Sequence, residues 1–199
     1  MDPISILCFG NSLTAGYFHF GLEYHPYALR FKERLQAAFP SQAFTVDVEG
    51  LSGDLVITPP GCYLARMQAR FSSKTYDWVI CLGGTNDLGY GYDSSKIFTG
   101  LQASWNVALS HGARVLALTI PECEVVNKVL DRRRNEVNAA ILAHQAEGFY
   151  SFDLHAKVPF HSMSEEQRSD IWDDGLHLTD IGYDLVGDLV AEHLVKLLE

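Results

Sequence analysis

A serine, a histidine and a carboxylate can together generate an oxygen nucleophile, and this sequence holds one of each where such chemistry would need it. Ser12 lies in Phe9-Gly10-Asn11-Ser12-Leu13-Thr14-Ala15-Gly16-Tyr17, directly after an apolar run, at a strand's end beside a free backbone N–H. Near the C-terminus, Trp172-Asp173-Asp174-Gly175-Leu176-His177-Leu178-Thr179-Asp180 sets a carboxylate three residues before a histidine. In a turn, that spacing puts both side chains on one side. His177 would then take a proton from Ser12 through one ring nitrogen, while Asp174 holds the other and stabilises the imidazolium. Asp173 suits that pairing as well as Asp174 does. A histidine among aspartates also describes an ordinary surface ion pair.

Two further segments offer electrophilic help. In Val48-Glu49-Gly50-Leu51-Ser52-Gly53-Asp54, two glycines around a serine permit a tight loop that brings the Gly53 N–H close to a ligand. In Leu82-Gly83-Gly84-Thr85-Asn86-Asp87, the Asn86 amide can donate to a developing negative charge. Each of the four segments, taken singly, reads equally well as a turn or a helix cap.

Other chemistries fit less well. A glycine-rich turn entering a helix is an anion site, but Gly10 and Gly16 have five residues between them and Tyr17 stands where a nucleotide-binding loop has lysine. The Gly-x-Ser-x-Gly elbow fails because Thr14 occupies the second glycine's place. His19 and His25, or His155 and His161, are spaced too loosely to hold a metal. The four cysteines, Cys8, Cys62, Cys81 and Cys123, are scattered and spell no disulfide framework.

The elements that must position these residues follow from periodicity. Short β-branched and aliphatic runs predict strands at Ser5 to Phe9, Phe44 to Val48, Trp78 to Leu82, Arg114 to Thr119 and Phe149 to Asp153. Helical patterns lie between them, from about Tyr27 to Phe39, Tyr63 to Phe71, Ser95 to Ser110 and Val126 to Glu147, with a closing helix from Thr179 to Leu198. The alternation predicts an α/β domain with a five-stranded parallel sheet spanning residues 1–199, and the stretch from Ala156 to Gly175 is expected to be irregular. In such sheets ligands bind outside the carboxyl ends of the strands, where three of the four segments fall.

Together the four blocks resemble the SGNH hydrolases, the GDSL-like lipases and esterases, in family order across nearly the whole chain. The resemblance implies a flavodoxin-like, three-layer α/β/α sandwich and a carboxylic-ester hydrolase. Ser12 would be nucleophile, His177 general base and acid, and Asp174 its partner. The oxyanion hole would comprise the N–H groups of Ser12 and Gly53 and the side chain of Asn86. It implies no metal or organic cofactor. One position departs: Asn11 stands where the family's name-giving motif has aspartate. An uncharged residue there predicts an altered hydrogen-bond network beneath Ser12 and a shifted pH profile, with activity retained.

Aromatic residues cluster near the proposed site, with Tyr17, Phe18, Phe20, Tyr24 and Tyr27 after the first block, Tyr90 and Tyr92 after the third, and Trp172 before Asp173. About half of them are expected to pack in the core. The favoured substrate is a small, short-acyl ester, with lysophospholipids and acyl thioesters as alternatives and a non-catalytic ligand- or flavin-binding module as the rival class. A net charge of −10 repels phosphate backbones and anionic headgroups, so neither nucleic acid nor stable membrane association is expected. The opening residues show no secretory signal and no apolar stretch is long enough to span a bilayer, which points to a cytoplasmic location. Nothing in the sequence reads out an oligomeric state.

Overall fold

The computed structural model describes residues 2–199. Five strands, β1 (Ile4–Gly10), β2 (Phe44–Gly50), β3 (Trp78–Leu82), β4 (Arg114–Leu118) and β5 (Phe149–Phe152), form one parallel sheet in the order β2-β1-β3-β4-β5. Long helices join them: α1 (Ala28–Ala38), α2 (Tyr63–Ser73), α3 (Ser94–Ser110), α4 (Lys128–Ala143) and the closing α5 (Asp180–Leu198).

Side chains alternate across a strand, so β1 feeds two separate cores. Ile6 and Cys8 pack with Tyr27 and Phe31 of the α1 side and with Val186 and Val190 of α5. Leu7 and Phe9 pack on the opposite face with Tyr63 and Met67 of α2, Trp105 of α3 and Val137 of α4. Helices thus cover both faces, which is why these strands read as unbroken apolar runs. The strand order reverses direction between β1 and β3, and the carboxyl ends there form the crevice in which open α/β sheets bind ligands. Ser12 follows one of those two strands and Asn86 the other.

Several boundaries differ from expectation for local reasons. β2 runs on to Gly50, because Glu49 and Gly50 stay in register with Phe9 and Gly10. α4 begins at Lys128, where the Asn127 side chain accepts from the Val129 and Leu130 N–H groups, and it stops at Ala143 before His144 turns extended. The stretch expected to be irregular opens on the end of one short helix, Leu154–Lys157, and contains another, Glu165–Ile171. The second is polar up to its last residue, Ile171, and so shows no periodicity, yet Ser164 and Gln167 close a reciprocal capping box at its start. A two-residue antiparallel ladder between Tyr17–Phe18 and Glu23–Tyr24 is too short to announce itself. Thr179 caps α5 as expected, accepting from the Gly182 N–H. Among the described residues, no helix is long and apolar enough to cross a membrane.

The two cores carry the stability. Phe31 on α1 is fully buried whereas Leu29, two residues earlier, is 54% exposed. Phe31→Ala is expected to cost about 3–5 kcal/mol and Leu29→Ala no more than about 0.5 kcal/mol, read as shifts in the urea midpoint at unchanged slope.

Candidate active site

The turn after β1 is shaped by what cannot be there. A Cβ on Gly10 would meet Thr14 Oγ1 at 2.2 Å and the Leu82 carbonyl at 2.3 Å, and one on Gly50 would lie 2.3 Å from the Ala15 nitrogen. Glycine at both positions lets the helical turn Ser12–Ala15 settle directly on the ends of β1, β2 and β3. Ser12 opens that turn and is buried, and its N–H has no acceptor among the described residues.

The closing segment comes to meet it. His177 Nε2 lies 2.9 Å from Ser12 Oγ, across 165 residues of chain, and His177 Nδ1 lies 2.8 Å from Asp174 Oδ2. The other Asp174 oxygen accepts from the backbone N–H groups of His177 and Leu176 at 2.7 and 3.1 Å, so the carboxylate is fixed before it engages the ring. Burial by itself raises the Asp174 carboxyl, but hydrogen bonds from the His177 ring and these N–H groups outweigh it and hold it below the ordinary carboxylate value. Asp173, which the sequence offered as an equal partner for His177, instead accepts from the His19 N–H at 2.7 Å. Tyr17 leans on the His177 ring with centroids 4.5 Å apart, and its own carbonyl accepts from the Tyr183 hydroxyl of α5.

Gly53 and Asn86 occupy neighbouring loops. Gly53 has φ +79° in the exposed turn after β2, where a Cβ would touch nothing, so conformation alone demands glycine. Its N–H also lacks an acceptor among the described residues. The turn is pinned to β1 by a bond from Leu51 N to the Gly10 carbonyl. Asn86 Nδ2 donates to the Asp54 carbonyl at 2.9 Å, which uses one of its two hydrogens and leaves the other for a ligand.

The same Asp54 carbonyl accepts from Asn11 Nδ2 at 2.6 Å. This is what the departure at position 11 does: the amide donates where a carboxylate would face the carbonyl oxygen. Beneath it lies a set of residues with no role assigned from sequence. Asp54 pairs with Arg66 of α2 at 2.7 Å and accepts from the Leu55 and Cys62 N–H groups. Asp87, fully buried, accepts from the N–H groups of Val56 and Ile57. Burial pushes its carboxyl up, the N–H groups oppose this, and the Asp54 charge adds to the rise. Asp54 and Asp87 sit inside blocks visible in the sequence, but a lone arginine on an amphipathic helix reads as a solvated face.

Of the neighbouring aromatic residues, Phe18, Tyr27 and Trp172 are core, while Phe20, Tyr24 and Tyr90 are exposed. His19 and His25 are tied to Glu23 and Asp184. A cleft of about 440 Å³ opens beside the site, and Asn86, Tyr90, Ile120, Leu130, Asp174 and Gly175 are among the residues that line it. A serine hydroxyl bonded to a histidine that is itself held by a carboxylate, with a cleft lined by that carboxylate's residue and by Asn86 alongside, is equipped for acyl transfer.

Residues 8–185 match the model of the GDSL-like Lipase/Acylhydrolase family. The chain belongs to that family. Among solved structures, a lipolytic protein of the G-D-S-L family from Veillonella parvula is similar at 21% identity, covering 95% of this chain and 97% of its own, with a TM-score of 0.73. A lipase/acylhydrolase from Enterococcus faecalis is 21% identical over 98% of this chain and 96% of its own, with a TM-score of 0.72. An acetylxylan esterase from Geobacillus stearothermophilus is 18% identical over 96% and 94%, with a TM-score of 0.69. A comparison with curated protein sequences found no match. These likenesses confirm the α/β/α sandwich of GDSL-like hydrolases that the resemblance implied.

Restoring the family's aspartate is a direct test of the Asn11 bond. Asn11→Asp removes a buried donor and sets a carboxylate against the Asp54 carbonyl, so about 1–3 kcal/mol of stability should be lost at neutral pH. Burial raises the new carboxyl above its unfolded value, so the protonated form, which can donate as the amide does, is favoured in the fold. The stability gap between the two proteins should therefore be small below the ordinary carboxylate pKa and widen as pH rises through it, as measured by thermal unfolding across pH.

Proposed function

We propose that this chain hydrolyses carboxylic esters, with Ser12 as nucleophile, His177 as general base and acid, and Asp174 as the residue that orients His177. The observation that carries this reading is the continuous pair of bonds from Ser12 Oγ to His177 Nε2 and from His177 Nδ1 to Asp174 Oδ2, at 2.9 and 2.8 Å. Ser12 Oγ attacks the ester carbonyl as its proton passes to Nε2. Asp174 keeps the Nδ1 proton pointed at itself and offsets the charge on the imidazolium. The carbonyl oxygen, now negative, takes the N–H groups of Ser12 and Gly53 and the free Asn86 N–H. Return of the proton from Nε2 to the alkoxy oxygen expels the alcohol. A water molecule, deprotonated by the same nitrogen, then releases the acid and regenerates Ser12.

The substrate is a small ester with a short acyl group. The cleft beside the site supports this: at about 440 Å³, with Asn86 and Asp174 in its lining, it has room for a compact arm. The chain works without a metal or organic cofactor, since each step uses its own side chains.

Hydrolysis of p-nitrophenyl esters from acetate to palmitate tests the reading. Activity should peak at the short end and fall on the order of 10⁴-fold or more in Ser12→Ala and in His177→Ala. Asn86→Ala should retain measurable turnover but lose about 10²–10³ in kcat. Activity that survives in Ser12→Ala would overturn the assignment.

A further inference from the structure

The cleft beside Ser12 contains a charge that neither the triad nor the oxyanion donors account for. Arg134, on α4, forms part of its wall and is the only cation there among the described residues. Its side chain is only 5% exposed, in a position where a guanidinium is costly to desolvate. Its bonds return little for that cost. Nη1 donates to Asp131 Oδ1 at 2.9 Å, but Asp131 is 37% exposed and water screens its charge. Nη2 donates to Cys123 Sγ at 3.1 Å, and a thiol is a weak acceptor. Cys123 lines the same cleft, so this under-used edge of the guanidinium lies at the cleft wall.

Holding the loop after β4 does not require Arg134. Asn138, one turn further along α4, already accepts from the Ile120 N–H at 2.8 Å and donates to the Ile120 carbonyl at 2.9 Å. The two carboxylates at the cleft do not use the cation either: Asp174 is engaged by His177, and Glu124 is exposed. What remains is a planar fork with unspent N–H groups at the side of a pocket whose lining is mostly apolar, the setting in which arginine binds a carboxylate through two parallel bonds.

We propose that Arg134 makes this cleft a pocket for an ester arm that ends in a carboxylate, an inference that rests on the hydrolase reading above. The apolar walls, Leu88, Tyr90, Ile120 and Leu130, take the stem of the arm. The guanidinium takes its end, displacing the thiol as acceptor on Nη2. The products are then an alcohol and a dicarboxylic acid if the acyl arm enters, or a short acid and a hydroxycarboxylic acid if the alcohol arm enters.

The test compares charged esters with neutral ones of the same shape. Ethyl hydrogen succinate is set against ethyl isocaproate for the acyl arm, and acetoxyacetate against isobutyl acetate for the alcohol arm. Acid release is followed by titration in the natural protein and in Arg134→Gln, and binding of all four esters to Ser12→Ala is measured by calorimetry. One carboxylated ester should exceed its neutral counterpart on the order of tenfold or more in kcat/KM, and Arg134→Gln should erase that ratio. The charged ester that wins identifies the arm. Equal or better handling of both neutral esters by the natural protein overturns the proposal, whether or not Arg134→Gln folds. If no ester is turned over, the hydrolase reading fails separately, and the calorimetry on Ser12→Ala still decides whether Arg134 favours the carboxylate.

Discussion

The geometry of the site depends on one buried ion pair. Arg66 Nη1 meets Asp54 Oδ2 at 2.7 Å with the two side chains 13% and 3% exposed, while the same guanidinium donates to the carbonyls of Gly10 and Glu49 and lies over the Phe9 ring. Those carbonyls lie at the carboxyl ends of β1 and β2, and the Gly10 carbonyl also accepts from the Leu51 N–H. Arg66 therefore joins two strand ends to the loop that follows β2. Removing Arg66 takes a cation from both Asp54 and Glu49 and leaves the buried Asp54 carboxylate without a countercharge, a loss of about 3–5 kcal/mol.

From Asp54 the order spreads to every donor at the site. Its carboxylate holds the Leu55 and Cys62 N–H groups, which set the path of the loop. Its carbonyl holds the amides of Asn11 and Asn86, which belong to the turns after β1 and β3. Ser12 and Asn86 are thus referred to one common atom, although they sit on different strands. Asp87 completes the frame by taking two N–H groups from the same loop. Asn11 belongs to this frame: it supplies a donor to the Asp54 carbonyl, where an anion would face the oxygen and add repulsion.

The histidine arm is held differently. His177 precedes α5, whose N-cap Thr179 and whose packing on α1 fix the segment against the sheet. Asp173 and Asp174 diverge because adjacent side chains in a turn point apart: one takes the His19 N–H of the short antiparallel ladder, the other takes the ring and two local N–H groups. The ladder, with Tyr17 against the imidazole, closes the far side of the ring. The serine is placed by the sheet and the histidine by the helix that covers it, so the relay reports on the packing of the whole α1–α5 layer.

The five strands, the five long helices and the four motif blocks are legible in the sequence because each is written in a short window. Apolar periodicity marks the elements, glycine marks the places where backbone must approach backbone, and a carboxylate three residues before a histidine marks a turn. Ser12, Gly53, Asn86, Asp174 and His177 stand in such windows, and the four blocks together carried the resemblance to the family. Only the tertiary structure decided that Asp174 and not Asp173 holds His177, that Asn11 donates to Asp54, and that Arg66 is partly and Arg134 fully withdrawn from water. A charged side chain on an amphipathic helix has the same local signature whether it faces water or a partner. Its fate depends on groups many residues away, and the sequence brings those groups together only by folding.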